Sequence, residues 1–119
     1  MENPRTTVPG MSENRAAVCT VVTTTDSEAA ARDLAAGAVA ARLGACAQVA
    51  GPVTSVFRWD GAVQTEAEWR VEVKTAADRV DALTDHLRER HSYDVPEIIA
   101  APVTGGSADY LSWVVAQTR

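Results

Sequence analysis

The chain has 119 residues and a mass of 12.6 kDa, room for a single domain. Eleven Lys and Arg against sixteen Asp and Glu leave a net charge of −5, which argues against a nucleic-acid surface built from clustered cations. Hydrophobic residues at 46% and charged residues at 23% exclude a chain disordered throughout, and no apolar run approaches the ~18–20 residues of a membrane span.

Residues 1–15 carry two prolines and almost no apolar periodicity. They read as a flexible leader with a second possible start at Met11, and the domain spans 16–119. The leader lacks the apolar stretch of a signal peptide, so a cytoplasmic protein is expected. Ala17–Thr24 is β-branched with apolar side chains on both faces, which predicts a strand at the centre of a sheet. Thr25 with Glu28 fits a capping box. Ala31, Leu34, Ala35, Ala38, Val39 and Leu43 form the stripe of a helix that Gly44 is expected to stop.

Ala47–Trp59 is a long extended stretch, bent by Gly51-Pro52 as an edge strand with a bulge would be. Asp60-Gly61 makes a hairpin turn. Beyond it Ala67, Trp69, Val71 and Val73 alternate with Glu68, Arg70, Glu72 and Lys74, giving a strand with one apolar and one charged face. Thr75 and Asp78 resemble a second cap, before a helix striped by Val80, Leu83 and Leu87. Tyr93-Asp94-Val95-Pro96 turns the chain into a strand over Glu97–Val103. Ser107 caps a last helix bearing Tyr110, Leu111, Val114 and Val115. The order β-α-β-β-α-β plus a C-terminal helix predicts an α+β fold, a ferredoxin-like split βαβ sheet with helices on one face.

One chain is not expected to be self-sufficient. The second strand is about twice the usual ~5–6 residues. It should outrun its partner and leave backbone groups for another chain to cover. Trp59, Trp69 and Trp113 serve either as interface surface or as monomer core.

Signature motifs for phosphate, zinc protease or calcium sites are absent. Cys19 and Cys46 have no CxxC spacing and are expected to be reduced. Cys19 reads as a small buried hydrophobe, whereas Cys46 is equally compatible with burial and with access. His86 and His91 are five apart and do not share a helix face. His91 ends the second helix near Tyr93, Asp94 and Glu97, as a helix-end cap or as a ligand. Glu68 and Lys74 share a strand face about 20 Å apart. They belong either to a solvated surface or to a cleft between subunits. No activated nucleophile or acid–base pair emerges from spacing, so no enzyme is expected.

Val53-Thr54-Ser55-Val56-Phe57-Arg58-Trp59, Gly61, Glu68, Lys74-Thr75 and His91-x-Tyr93-x-Val95-Pro96-Glu97-Ile98-Ile99 together resemble the CutA divalent-cation-tolerance family. Leu43-x-Ala45-Cys46 and Tyr110-Leu111-x-Trp113 match as well, so the resemblance runs from about Val18 to the C-terminus. It implies a tightly packed homotrimer, non-catalytic, linked to tolerance and binding of divalent metals, copper in particular. It also implies that Trp59, Glu68, Lys74, Tyr93 and Glu97 gather at intersubunit clefts, with His91 as the metal residue. Ser92 and Asp94 depart from the family's usual Pro and Glu. At the positions where some bacterial members carry a metal-binding thiol and a second His, this chain has Thr23 and Arg90. Soft metals prefer thiolate and imidazole, so copper is expected to bind weakly. The alternative is a sensor resembling the PII-like trimers, with Arg58 and Lys74 holding a small anion that Glu68 orients.

Overall fold

The structure, a computed structural model, describes residues 17–119. The leader expected over 1–15 lies outside the described residues. In chain order the elements are β1 (Val18–Thr25), α1 (Glu28–Ala40), β2 (Cys46–Trp59), β3 (Ala62–Ala76), a 3-10 turn (Ala77–Arg79), α2 (Val80–Arg90), β4 (Ile98–Pro102) and α3 (Ala108–Gln117). The strands form one four-stranded antiparallel sheet in the order β2-β3-β1-β4. The crossover through α1 therefore skips the place of β3, and the one through α2 skips that of β1. This interleaving of two βαβ halves is the ferredoxin-like arrangement that the element order predicts.

β1 sits between β3 and β4, as its two apolar faces require. One side of the sheet presents Val21, Val71 and Val73 to Ala31, Leu34, Ala35 and Ala38 of α1 and to Leu83 and Leu87 of α2, and these residues make the core. Val39 belongs to the expected stripe but is 40% exposed, because it lies about 100° round the helix from Ala38. α3 packs against β3 and β1 and buries Val114 outside that cluster.

Three local expectations are corrected. α1 is capped by Ser27, whose hydroxyl accepts from the Ala30 N–H at 3.0 Å. Thr25 is instead the last residue of β1, paired with Trp69, and Glu28 turns to Arg32 at 2.8 Å. Arg42, not Gly44, takes the left-handed conformation after α1 (φ 61°), with the Leu43 and Gly44 N–H groups both returning to the Ala38 carbonyl. Gly44 is needed for space, since a Cβ there would strike the Val73 side chain. Thr75 donates to the Leu43 carbonyl at 2.7 Å and ties the α1–β2 connection to β3, while α2 starts without a side-chain cap.

The long strand does not outrun its partner. β2 and β3 pair from Cys46↔Lys74 to Trp59↔Ala62, broken only where Gly51-Pro52 stand against Trp69. A Cβ on Gly51 would lie 2.6 Å from the Trp69 ring, so the bulge and that indole fit only with glycine. What both strands outrun is β1, whose pairing with β3 ends at Thr25↔Trp69. Residues 53–59 and 62–68 thus project beyond the sheet as a two-stranded arm, roughly 20 Å long at the usual rise per residue. Val56, Phe57, Trp59 and Val63 are exposed on the arm.

Candidate functional site: an acidic cleft at the base of the arm

Glu68 is the first residue of β3 beyond the reach of β1, on the face that alternation marks as polar. It is nevertheless only 8% exposed. The cover comes from the α2–β4 connection, where the Tyr93 hydroxyl donates to the Glu68 carboxylate at 2.7 Å. Burial first, and then the hydrogen bond to Glu68, push the Tyr93 phenol well above its ordinary pKa. An ionised phenol there would be short of water and would face a carboxylate.

Tyr93 is held in turn by His91, the residue that closes α2. The Tyr93 N–H donates to His91 Nδ1 at 3.1 Å, and the two rings lie tilted with centroids 4.9 Å apart. His91 Nε2 is 2.8 Å from the Thr24 carbonyl and 3.1 Å from the Thr23 hydroxyl. A carbonyl can only accept, so the neutral imidazole carries its hydrogen on Nε2 and leaves Nδ1 to accept. His91 therefore fastens the loop that bears Tyr93 to the end of β1. Both ring nitrogens of His91 are thus spent on protein groups, and neither has a free lone pair for a metal.

The surroundings of His91 do not fit a soft metal either. At the position of the expected thiol, Thr23 offers a hydroxyl, and Arg90 turns back to the His86 carbonyl at 3.3 Å. Among the described residues, no three His, Cys, Asp or Glu side chains converge as a metal-holding group.

Beside the Tyr93–Glu68 contact opens a cleft of about 730 Å³. Trp59, Phe57 and Arg58 line it from the arm, with Glu66 and Glu68 from β3, Asp26 after β1, and Tyr93, Asp94 and Glu97 from the loop. Five carboxylates thus face one guanidinium, and the cleft is acidic. Of the residues expected at a cleft, the structure brings together Trp59, Glu68, Tyr93 and Glu97. Lys74 is left out: it lies about 20 Å along β3 from Glu68, with its ammonium 3.0 Å from the Gln48 side-chain oxygen and 3.9 Å from Glu72. Sequence reasoning missed Asp26, Glu66 and Asp94. Glu66 was legible, since it is two residues from Glu68 and shares its strand face. Asp26 and Asp94 sit in connections, where only the tertiary fold brings them close.

The cysteines are free and partly buried, and they face opposite sides of the sheet, Cys19 pairing with Thr75 and Cys46 with Lys74. Burial pushes the Cys19 thiol up. Cys46 lies against Tyr110, whose phenol is raised by burial and then by Cys46. His91 contacts the other end of β1, so the structure assembles no Cys–His pair.

Interleaved βαβ halves, a projecting β-arm and an acidic cleft at its base define a ferredoxin-like α+β domain of a distinctive kind. The family model described as CutA1 divalent ion tolerance protein matches residues 19–117, and the chain belongs to that family. It is 41% identical over 108 residues to the divalent-cation tolerance protein CutA of Escherichia coli, covering 91% of this chain and 96% of that one. It is 40% identical over 119 residues to the chloroplastic protein CutA 1 of Oryza sativa, all of this chain but 63% of the rice protein. The chain therefore spans about three-fifths of the plant relatives it matches. The crystal structure of CutA1 from Oryza sativa superimposes with a TM-score of 0.84 at 38% identity, over 89% of this chain and 97% of that one. The periplasmic divalent cation tolerance protein CutA from Archaeoglobus fulgidus gives 0.82 at 26% identity, over 86% and 99%.

Proposed function

We propose that this protein is a non-catalytic, homotrimeric cation-binding member of the divalent-cation tolerance family, and that the cleft at the base of the arm is its ligand site. The observation that carries the reading is the acidic lining around the Tyr93–Glu68 contact. A site with five carboxylates and one arginine attracts cations and repels anions, and this ranks the small-anion sensor second. Carboxylate and phenol oxygens suit hard divalent ions better than copper. Copper is accordingly a weak ligand in this reading, with His91 acting through the position of Tyr93.

Assembly follows from the same arm. Two strands projecting beyond the sheet have open edges on both sides, and an isolated two-stranded ribbon is marginal in water. Neighbouring copies that pair with those edges would cover Val56 and Val63 and bring further donors to the cleft, whose own carboxylates do not converge on one point. The name of the Escherichia coli relative speaks of tolerance, not of a reaction. No helix among the described residues is long and apolar enough to cross a membrane. Two reduced cysteines agree with a cytoplasmic setting.

Calorimetric titration with Mn(II), Ca(II) and Cu(II) tests this reading on the wild type, Glu68→Gln and His91→Ala. Binding of a hard ion that weakens at least tenfold in Glu68→Gln is the expected result. Equal binding by wild type and Glu68→Gln removes the cleft from the account.

A further inference from the structure

His86 lies on α2 one turn before the loop-pinning His91, and its environment differs from that of any other polar side chain on the helix. Its Nε2 is buried with no hydrogen-bond partner. It faces α1 at Gly37, where an added Cβ would come 3.6 Å from that nitrogen. A glycine at the crossing lets the imidazole lie close against the other helix. The neutral ring can carry its hydrogen on Nδ1 and turn only a lone pair into the contact, at modest cost. A proton added there would bury an N–H without an acceptor, together with a positive charge.

The charged groups around His86 do not relieve this. On its own helix Arg90 opposes a second positive charge and Glu89 favours it, Arg90 having the larger influence after burial itself. On α1 the charged side chains Glu28, Arg32 and Asp33 are exposed, and the first two are paired with each other. β4 has no titratable side chain, and β1 has only the Cys19 thiol. In the 3-10 turn Asp78 is engaged with Arg119, and Arg79 adds a further positive charge. Glu89 is the one carboxylate that favours an imidazolium there, and burial and Arg90 both outweigh it.

We infer that His86 is a one-proton switch in the fold: α2 docks firmly on α1 while the ring is neutral, and protonation loosens it. Burial and Arg90 hold the pKa of His86 below its ordinary value, so the unfolded chain takes up the proton first. The contribution of this contact to stability is complete above the unfolded value of about 6.5 and is lost as pH falls below it. Because α2 runs directly into His91 and Tyr93, loosening spreads to the loop that covers Glu68. Acidification thereby opens the base of the cleft, a consequence that rests on the cleft being the ligand site. The stability effect does not.

The test compares wild type with His86→Leu and His86→Gln between pH 7.5 and 5. The chain has only two histidines, so an NMR titration resolves both imidazoles in the wild type and leaves one in each variant. The expected results are a His86 signal that titrates below the free imidazole, a wild-type unfolding equilibrium that shifts by up to tenfold per pH unit below about 6.5, and a shallower pH dependence in both variants. Hydrogen exchange of residues 91–97, measured on wild type and variants at the same acidic pH, should be faster in the wild type. A His86 ring that titrates at or above the free value, or identical pH profiles for all three proteins, overturns the inference. Altered stability profiles with unchanged exchange in the loop would retain the switch and overturn its link to the cleft.

Discussion

Tyr93 and Glu68, 25 residues apart, meet across 2.7 Å at the base of the β-arm, phenol donating to carboxylate. The contact joins the α2–β4 loop to β3 at the point where the sheet narrows from three paired strands to two. Tyr93→Phe leaves a nearly buried carboxylate without its donor and should destabilise the protein by about 1–3 kcal/mol. Glu68→Gln keeps an acceptor and should cost less. Urea denaturation of both variants and of the double variant checks this, with a coupling of at least 0.5 kcal/mol expected for groups in contact.

The same contact predicts an alkaline titration. Both tyrosines have raised phenol pKa values, Tyr93 through burial and Glu68, Tyr110 through burial and Cys46. The Tyr93 phenol is kept neutral by the fold, so its contribution to stability is intact below the ordinary tyrosine value of about 10 and falls as pH rises through the raised folded value. Ultraviolet titration of Tyr110→Phe should show Tyr93 ionising later than free tyrosine. Adding Glu68→Gln should move it back toward the ordinary value.

The bulge that aims the arm depends on Gly51. Gly51→Ala places a methyl group 2.6 Å from the Trp69 ring, and the forced shift should cost about 1–3 kcal/mol. A lowered urea midpoint and an altered Trp fluorescence spectrum are the expected results. An unchanged midpoint would show that the indole moves aside freely.

Leu87 is fully buried between α2 and the sheet. Leu87→Ala should destabilise by about 2–5 kcal/mol. Thermal unfolding measures the loss, and far-ultraviolet circular dichroism should show the fold retained below the transition.

The projecting arm carries the prediction about assembly. Val56 and Val63 are both more than 60% exposed in the single chain. Introducing Val56→Lys and Val63→Lys together should convert the proposed homotrimer into smaller species in sedimentation velocity without unfolding the domain. A wild type already monomeric at micromolar concentration defeats the trimer proposal.

Much of the fold could be read along the chain. The period-2 alternation of Trp69, Val71 and Val73, the helical stripe of Leu83 and Leu87, and the Asp60-Gly61 turn each depend on neighbours close in sequence. Such signals survive without knowledge of the rest of the molecule. The candidate site was half legible by a different route: the family resemblance implies a cleft at Trp59, Glu68, Tyr93 and Glu97, and all four line the cleft of the single chain. Caps were read less well, because Thr25 and Thr75 have the right chemistry for capping but are committed to the sheet by partners 44 and 32 residues away, Trp69 and Leu43.

The sequence alone therefore determined the order of the elements, the buried faces and the hairpin, since each is set by local periodicity and by where side chains escape water. Only the tertiary structure decided that Glu68 is covered by Tyr93, that Asp26 joins it at the cleft, and that both nitrogens of His91 are occupied. Those outcomes depend on where β1 stops against β3 and where α2 delivers its loop. Such distances are fixed by packing between segments far apart in the chain, and no spacing along the chain encodes them.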